Sequence, residues 1–382
     1  MSEVNTSGQI NVLFVVSSLV RAGAETQVVN LVNGLSSPSI QKFLFTFETC
    51  MDQLTDINQD NTAFLNCARR SKFDVRPIKE LARIIDDKEI DIVHCTTQFP
   101  LLLAWIGRFI SKRKPRLIVA LHTTKNRDLK EEAKDRFVYR WLIPRCSSIV
   151  YVCNAQQKYW FARYPHFEDI SRVIYNGVDT RKYDPEIWRE DGEKLRSRLG
   201  VPADAKVIVC VARFHPEKGH AILMHALKKV EDPPYLLLAG DGGLVEDIRS
   251  LVDALGLAGR VKFLGMLDDV RPALAAADLS LLASTAVETF SMAMLESMSM
   301  ETPVLATDVG GLSEAIVPGE TGFLVEPGDE EALSAVLRDI AADKYNLKDM
   351  GVKSRRLILE EFTNDRMIQE TEKLLLELGN VV

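Results

Sequence analysis

Short apolar runs alternate with amphipathic segments along nearly the whole chain. The short runs predict buried strands, and the segments with apolar residues three or four positions apart, such as 25–35 and 77–87, predict helices. This alternation is typical of βαβ units with parallel sheets. The predicted strands are 10–16, 43–47, 90–95, 117–121, 148–152 and 172–175, followed by 207–211, 235–239, 261–264, 279–282, 303–306 and 322–325.

A turn-rich stretch at 176–185 interrupts the alternation, which restarts with the strand at 207–211. We therefore predict two doubly wound α/β domains, residues 1–184 and 185–362, with a cleft between them. A last helix, 363–382, can cross back to the first domain. In open sheets of this kind ligands bind beyond the carboxyl ends of the strands, so the chemistry is expected in the loops there.

Composition and charge narrow the class of protein. Hydrophobic residues make up 46% of the 382 residues and charged residues 26%, which excludes a disordered or fibrous chain. Residues 1–184 carry 26 Lys and Arg against 20 Asp and Glu, whereas residues 185–382 carry 21 against 34. The positive first half indicates an anionic partner such as lipid headgroups, nucleic acid or a phosphorylated substrate. Scatter among solvated charges would give the same totals.

The cysteines and the amino terminus indicate the compartment. The six cysteines form no C-x-x-C pair, and Cys95 and Cys210 lie in apolar runs that suit buried free thiols. A reducing compartment fits best. Residues 1–8 are polar and acidic, and no apolar stretch reaches the ~18 residues of a membrane span. We expect a cytoplasmic protein with no export signal and no transmembrane helix.

Two loops of the first half carry candidate residues. Gly23 and Ala24 open a predicted helix, where a ligand phosphate could approach backbone N–H groups favoured by the helix dipole. An ordinary helix start would look the same. His94 and His122 lie at the ends of two strands, and His122 is the stronger candidate for acid–base chemistry. Structural histidines are the alternative.

Arg213 and Lys218 follow the strand 207–211. A planar guanidinium and an ammonium that leave one strand end together could neutralise a diphosphate. The alternative is a solvated basic loop. These residues alone do not decide between the two interpretations.

Glu288 and Glu296 lie eight positions apart across a loop-to-helix junction after the strand 279–282. If the helix begins near Phe290, Glu296 lies ~9 Å further along its axis, so each carboxylate could accept hydroxyls from one end of an extended ligand. The N–H groups of Phe290, Ser291 and Met292 would then face a phosphate. The alternative is that Glu296 only covers the polar side of a methionine-rich core helix.

In this order the motifs resemble the retaining glycosyltransferases of family 4, which have the GT-B fold of two facing Rossmann-like domains. The resemblance runs from residue 10 to about residue 378. It is carried by AGAE at 22–25, DIVH at 91–94, LHT at 121–123, NGVD at 176–179, Arg213 with Lys218 and Gly219, AGDG at 239–242, the pair Glu288 and Glu296, and DVGGLSE at 308–314.

The resemblance implies roles for these positions. Arg213 and Lys218 would hold the donor diphosphate, aided by backbone at Gly23. Glu288 would contact hydroxyls of the transferred sugar, and Glu296 would hold the ribose hydroxyls.

It also implies further donor contacts. The nucleobase would lie near Gly265 and Met266, and His122 would reach the donor sugar near the reacting carbon. Thr289 and Ser291 stand where the family often has glycine, so they add bulk or hydroxyls near the sugar and leave its identity open.

The implied activity is a retaining, metal-independent hexosyltransferase without cofactor. It would move a hexose or N-acetylhexosamine from a nucleotide sugar, expected to be a UDP-sugar, to a lipid-linked or polysaccharide acceptor in the synthesis of surface glycans such as lipopolysaccharide. A non-hydrolysing nucleotide-sugar epimerase and a non-catalytic nucleotide-sugar-binding scaffold share the fold and are the alternatives. The simultaneous presence of His122, Arg213, Lys218, Glu288 and Glu296 argues against a scaffold.

An apolar segment at 100–110 continues into a basic turn, and together they could rest on the anionic inner face of the cytoplasmic membrane. A core-packed helix with a basic last turn is the alternative. Nucleic acid is a weaker interpretation because stacking aromatics do not alternate with the cations. The candidate contact residues are Trp105, Arg108, Phe109, Lys112, Arg113, Lys114 and Arg116.

Overall fold

The computed structural model describes residues 9–122 and 129–379, with the backbone alone for 129–131. The polar segment 1–8 and Thr123 of the LHT motif lie outside the described residues. The chain forms two compact units, Met1–Gly177 with Asn364–Val382, and Val178–Thr363. Each unit is built on one parallel sheet.

The strands belong to these two sheets in chain order. Those of the first unit are β1 (Ile10–Val16), β2 (Ile40–Thr46), β3 (Thr62–Asn66), β4 (Ile92–Thr96), β5 (Arg116–Leu121), β6 (Ser148–Tyr151) and β7 (Ser171–Val173). Those of the second are β8 (Val207–Val211), β9 (Tyr235–Ala239), β10 (Val261–Gly265), β11 (Leu279–Leu282), β12 (Val304–Thr307) and β13 (Gly322–Val325).

Helices connect the strands. In the first unit they are α1 (Gly23–Gly34), α2 (Arg76–Asp87), α3 (Gln98–Ile110), α4 (Leu129–Lys134), a π-turn (Asp135–Tyr139), α5 (Arg140–Leu142), α6 (Asn154–Arg163) and, at the end of the chain, α14 (Asn364–Gly379). In the second they are α7 (Pro185–Arg198), α8 (His220–Lys228), α9 (Val245–Ala254), α10 (Arg271–Ala275), α11 (Met292–Ser299), α12 (Glu330–Ala341) and α13 (Leu347–Glu361).

The strand order is β3-β2-β1-β4-β5-β6-β7 in the first sheet and β10-β9-β8-β11-β12-β13 in the second. Both orders reverse beside the first strand of the unit, which is the doubly wound arrangement. The predicted fold class is therefore confirmed. β3 is not predicted from sequence because it is a short edge strand whose residues are only partly buried, so its apolar pattern is weak.

Apolar side chains fill both faces of each sheet. Cys95 and Cys210 are buried free thiols in these cores, as predicted. Within residues 9–122 and 129–379, no helix is long and apolar enough to cross a membrane.

The last helix, α14, belongs to the first unit. Its Met367, Leu374 and Leu375 share a core with Val12 and Phe14 of β1. The segment before it, α13, belongs to the second unit, so the chain changes unit between Thr363 and Asn364.

The turn-rich stretch at 178–184 belongs to the second unit, so the contacts divide the chain earlier than the predicted boundary after residue 184. Arg355 of α13 explains this. Its guanidinium donates to the carbonyl of Tyr183 at 2.9 Å and to the carboxylate of Asp184 at 3.1 Å, and it also donates to the carbonyl of Ser299. These bonds fix the stretch to the helices of the second unit.

Replacing Arg355 with alanine is expected to destabilise the protein by about 2 kcal/mol, because several charge-assisted hydrogen bonds lose their donor. The matched control is Arg356→Ala, which removes only an exposed pair with Glu360 and should cost less than about 0.5 kcal/mol. Urea unfolding of both variants measures the difference. Equal transition midpoints would show that Arg355 does not hold the stretch.

Candidate active site

The loops at the carboxyl edge of the second sheet are connected through their backbones. The Thr285 N–H donates to the Glu217 carbonyl at 2.8 Å, which joins the loop after β11 to the loop after β8. The Gly311 N–H donates to the Thr289 carbonyl at 2.7 Å, which joins the loop after β12 to the loop after β11. Side chains from three adjacent loops therefore hold fixed positions at this edge.

Two glycines permit this close approach. Gly219 has a φ of +67°, and a Cβ there would lie 2.0 Å from the Ala283 carbonyl oxygen. Gly310 has a φ of +64°, and a Cβ there would lie 1.9 Å from the carbonyl oxygen of Glu288. Only glycine fits both the backbone conformation and the space. Each glycine places a neighbouring loop against the segment that carries a candidate functional residue.

Lys218 and Glu288 are brought together by these loops. The Lys218 Nζ lies 2.5 Å from the Glu288 Oε2, and the Ser284 hydroxyl donates to the same oxygen at 2.9 Å. Both charged side chains are half-buried. An ammonium has three donors, so Lys218 can keep this contact and still bind a phosphate. Ser284 was not predicted; its only signal in the sequence is that it is polar and lies two residues after β11.

Arg213 stands at the end of β8 with an exposed side chain. The acidic group of Glu217 lies 3.9 Å from its Nη2, too far for a hydrogen bond. Its fork of donors therefore faces solvent beside the loop that carries Lys218. The two cations predicted to act together do leave the same strand.

The helix α11 begins at Met292, two residues later than expected from sequence. Ser291 is its N-cap, with an extended backbone and a side-chain oxygen that accepts from the Met294 N–H at 3.4 Å. The ring of Phe290 is buried against Phe362, with ring centroids 5.1 Å apart. Both side chains therefore have structural roles in this loop.

Glu296 lies in a separate cluster on α11. Burial raises the pKa of its carboxyl to about 7, while a hydrogen bond with Tyr183 and the charges of Lys182 and Arg271 act in the opposite direction. Burial also raises the pKa of Tyr183. At neutral pH this carboxyl is divided between its two protonation states. A group tuned in this way is typical of a functional site.

The loop after β10 contributes Asp269 to the groups around Glu296, and Arg271 follows it at the start of α10. Asp269 accepts two hydrogen bonds from the Arg271 guanidinium, both at 2.7 Å, and the guanidinium stacks on Trp188 at 4.1 Å. Gly265, the last residue of β10, and Met266, the first residue of this loop, are both exposed. Tyr183 and Arg271 were missed from sequence because they are distant from Glu296 along the chain and carry no motif of their own.

In the first unit His122 directly follows the end of β5, as predicted, but His94 lies in the middle of the neighbouring strand β4, where it is buried, so its predicted position at a strand end is wrong. Burial lowers the pKa of His122 to about 4, and burial together with the nearby His122 lowers the pKa of His94 to about 4. The ring of His94 lies 5.3 Å from that of Phe14. Both imidazoles are therefore neutral at physiological pH, which suits hydrogen bonding at His122 rather than charge stabilisation.

Gly23 and Ala24 form the first residues of α1, which begins two residues before the predicted helix 25–35. The residue before them, Ala22, has no side chain that could cap the helix. The first turn thus presents backbone donors and the positive end of the helix dipole. Whether a ligand uses them stays a prediction.

The cations of the basic segment mostly bind the protein itself. Lys114 donates to the carbonyls of Arg108 at 2.8 Å and Phe109 at 2.9 Å, which closes the end of α3. Arg113 pairs with Asp91 at 3.0 Å, and Arg108 donates to the Pro115 carbonyl at 2.7 Å.

The rest of this segment is divided between core and surface. Trp105 packs partly into the core and stacks on the exposed Phe109, whereas Lys112 is exposed and Arg116 begins β5. Membrane contact by this segment stays a prediction.

Comparison with known proteins identifies the family. Residues 21–182 match the family described as Glycosyltransferase Family 4, and residues 191–357 match Glycosyl transferases group 1. N-acetyl-alpha-D-glucosaminyl L-malate synthase of Bacillus anthracis is 26% identical over 305 residues, covering 79% of this chain and 78% of that protein. The lipopolysaccharide core biosynthesis glycosyltransferase LpsE of Rhizobium meliloti is 32% identical over 180 residues, covering 47% of this chain and 52% of that protein.

Solved structures agree with this assignment. HepE of Anabaena in complex with UDP has a TM-score of 0.83 and 26% identity, covering 96% of this chain and 100% of HepE. Its complex with UDP-glucose has a TM-score of 0.83 and 25% identity, with 97% and 100% coverage. The chain therefore belongs to the group 1, family 4 glycosyltransferases of glycan biosynthesis and has their GT-B fold.

Proposed function

We propose that this glycosyltransferase moves a hexose or N-acetylhexosamine from a UDP-sugar to a lipid-linked or polysaccharide acceptor, with retention of configuration. The observation that carries the proposal is the Lys218–Glu288 pair on glycine-held loops, beside the exposed guanidinium of Arg213. The UDP and UDP-glucose complexes of HepE support uridine as the base. LpsE supports an acceptor in surface glycan synthesis.

Arg213 and Lys218 stabilise the departing diphosphate. Negative charge grows on this leaving group as the glycosidic bond breaks, and fixed cations at its position lower the barrier because they need no reorganisation. The dipole at the start of α11 adds a partial positive charge. We propose that these groups make a divalent ion unnecessary.

Glu288 binds the hydroxyls of the transferred sugar through its carboxylate, whose Oε2 is held in place by Lys218 and Ser284. In the proposed retaining mechanism the acceptor attacks from the face of the leaving group, and the leaving phosphate takes the proton of the acceptor. Neutral His122 can donate or accept a hydrogen bond at a sugar hydroxyl.

Glu296 accepts the ribose hydroxyls in its ionised form, and the nucleobase lies along the loop of Gly265 and Met266. Tyr183 and Arg271 then act as positioning residues, since they favour the ionised carboxylate against the effect of burial. This gives the two glutamates of the E-x7-E pair separate tasks at opposite ends of the donor.

A thermal-shift panel of UDP, GDP, ADP and CMP tests the donor. UDP should raise the melting temperature most, because at equal concentration the nucleotide with the lowest Kd stabilises the folded state most. At 100 times its Kd a ligand adds about 2.7 kcal/mol. EDTA should leave both the shift and the turnover unchanged. Preference for another nucleotide would change the assigned base, and no shift with any of them would contradict a nucleotide-sugar site.

UDP-glucose binding should strengthen as the pH rises from 6 to 8. If only ionised Glu296 accepts the ribose hydroxyls, a pKa of about 7 gives about a tenfold lower Kd at pH 8 than at pH 6. UDP-glucose is used because its esterified diphosphate does not titrate in this range.

Two variants check the assignment of this pH dependence to Glu296. Glu296→Gln should bind independently of pH, and Tyr183→Phe should move the transition to higher pH because the ionised carboxylate loses a donor. A wild-type profile retained by Glu296→Gln would show that another group titrates.

The two glutamates should differ in their kinetics. Glu288→Gln should lower kcat by about 100-fold with little change in the donor KM, because its contacts strengthen as the sugar becomes electron-deficient. Glu296→Ala should raise the donor KM by about tenfold through loss of ribose binding. Steady-state assays at pH 8 separate the two effects, and unchanged kinetics in both variants would refute this donor site.

A further inference from the structure

The segment between β5 and β6 has an unusual exposed apolar surface. Phe137 is 73% exposed and Trp141 is 59% exposed, with Val138 beside them. The residues lie at i, i+1 and i+4 across the π-turn and α5, so they share one side of the segment. Contiguous exposed patches of aromatic side chains generally mark an interaction site.

The opposite side of the same segment is firmly anchored. Tyr139 and Leu142 are buried in the core of the first unit, and so is Asp135. The Asp135 carboxylate accepts from the Arg163 Nε at 3.2 Å and from the Tyr164 hydroxyl at 2.9 Å. The exposure of Phe137 and Trp141 is therefore imposed by the packing of their neighbours.

Cations surround the exposed aromatics. Among the side chains described at 132–145 the acidic residues are Glu132, which pairs with Arg163, and Asp135, which is buried. Cations are therefore in excess on the exposed side. The guanidinium of Arg140 lies 4.8 Å from the Trp141 ring, and Arg145 donates to the Trp141 carbonyl. We call Phe137, Val138 and Trp141 together with these cations the aromatic-basic surface. Its cations are Lys134, Arg136, Arg140 and Arg145.

We propose that the aromatic-basic surface binds an anionic lipid membrane. Arginine and lysine are attracted to phosphate and other anionic headgroups, and tryptophan and phenylalanine partition into the boundary between headgroups and acyl chains. The excess of cations and the two exposed aromatic rings favour this partner over an ordinary protein surface. The cations of 108–116 fit less well, since Arg113 and Lys114 bind protein groups.

The role of the membrane contact rests on the proposed function: it would hold the transferase where a lipid-linked acceptor is found. The binding itself requires neither donor nor acceptor. The two proposals can therefore fail separately.

Sedimentation of the full chain with sucrose-loaded vesicles of equimolar phosphatidylcholine and phosphatidylglycerol tests the surface. The wild type should sediment with these vesicles, and should do so much less with pure phosphatidylcholine or at about 0.5 M salt, where charge attraction is screened. Phe137→Ser with Trp141→Ser should lower the partition coefficient by at least about tenfold. Arg136→Ser and Arg140→Ser should each lower it by about fivefold.

The matched control is the double variant Ile187→Ser with Arg198→Ser, which removes one exposed apolar residue and one exposed cation from α7 of the second unit. It should sediment like the wild type. A thermal shift with UDP in every variant shows that the fold and the donor site are intact.

Three results would overturn the membrane proposal. They are equal sedimentation of the wild type and the Phe137/Trp141 variant, failure of the wild type to sediment, and a dimer in sedimentation velocity that the Phe137/Trp141 variant loses while vesicle binding is absent. The last would assign the surface to contact between copies. If UDP still raises the melting temperature in any of these cases, the transferase proposal stands. If the wild type binds vesicles but UDP causes no shift, only the donor site is rejected.

Discussion

The close approach of strand-end loops in the second unit is the constraint on which the proposed donor site depends. Gly219 and Gly310 let the backbones of adjacent loops come within contact of Ala283 and Glu288, where a side chain would collide with a carbonyl oxygen. Lys218 immediately precedes one of these glycines, and Glu288 is the contact of the other. The ion pair is thus placed by backbone packing, so its geometry exists before any ligand binds. Preorganised charge of this kind is what leaving-group stabilisation needs.

Two carboxyl groups from one short sequence motif experience different surroundings. Glu288 receives a lysine and a serine hydroxyl, whereas Glu296 is set into α11, where burial raises its pKa to about 7. The first is held by two hydrogen-bond donors, and the second is balanced between protonation states. Neutral His122 adds a hydrogen-bonding group without charge. The environment of each side chain, and not its type, separates sugar chemistry from nucleotide recognition in the proposed mechanism.

The exposure of the aromatic side chains in the first unit is also set by the packing of their neighbours. Tyr139 and Leu142 enter the core and Asp135 binds Arg163, which forces Phe137 and Trp141 outward on the same segment. Exposure of two large aromatic rings has a cost in water that a membrane interface would remove. In the basic segment after α3, by contrast, the cations bind protein groups: Lys114 donates to carbonyls at the end of the helix, and Arg113 pairs with Asp91.

The sequence by itself determined the two doubly wound sheets, because strand and helix periodicity is a local property, and 207–211, 235–239 and 279–282 coincide with β8, β9 and β11. It also placed Arg213, Lys218 and Glu288 at strand ends in the order that indicates the family. Only the tertiary structure decided that Ser284 binds Glu288, that Tyr183 and Arg271 tune Glu296, and that Phe137 rather than Trp105 is presented to solvent. Tyr183 and Arg271 are distant from Glu296 along the chain, the Ser284–Glu288 bond depends on how the loop after β11 folds, and the exposure of Phe137 depends on which side of its segment the core takes. None of these leaves a periodic trace in the sequence.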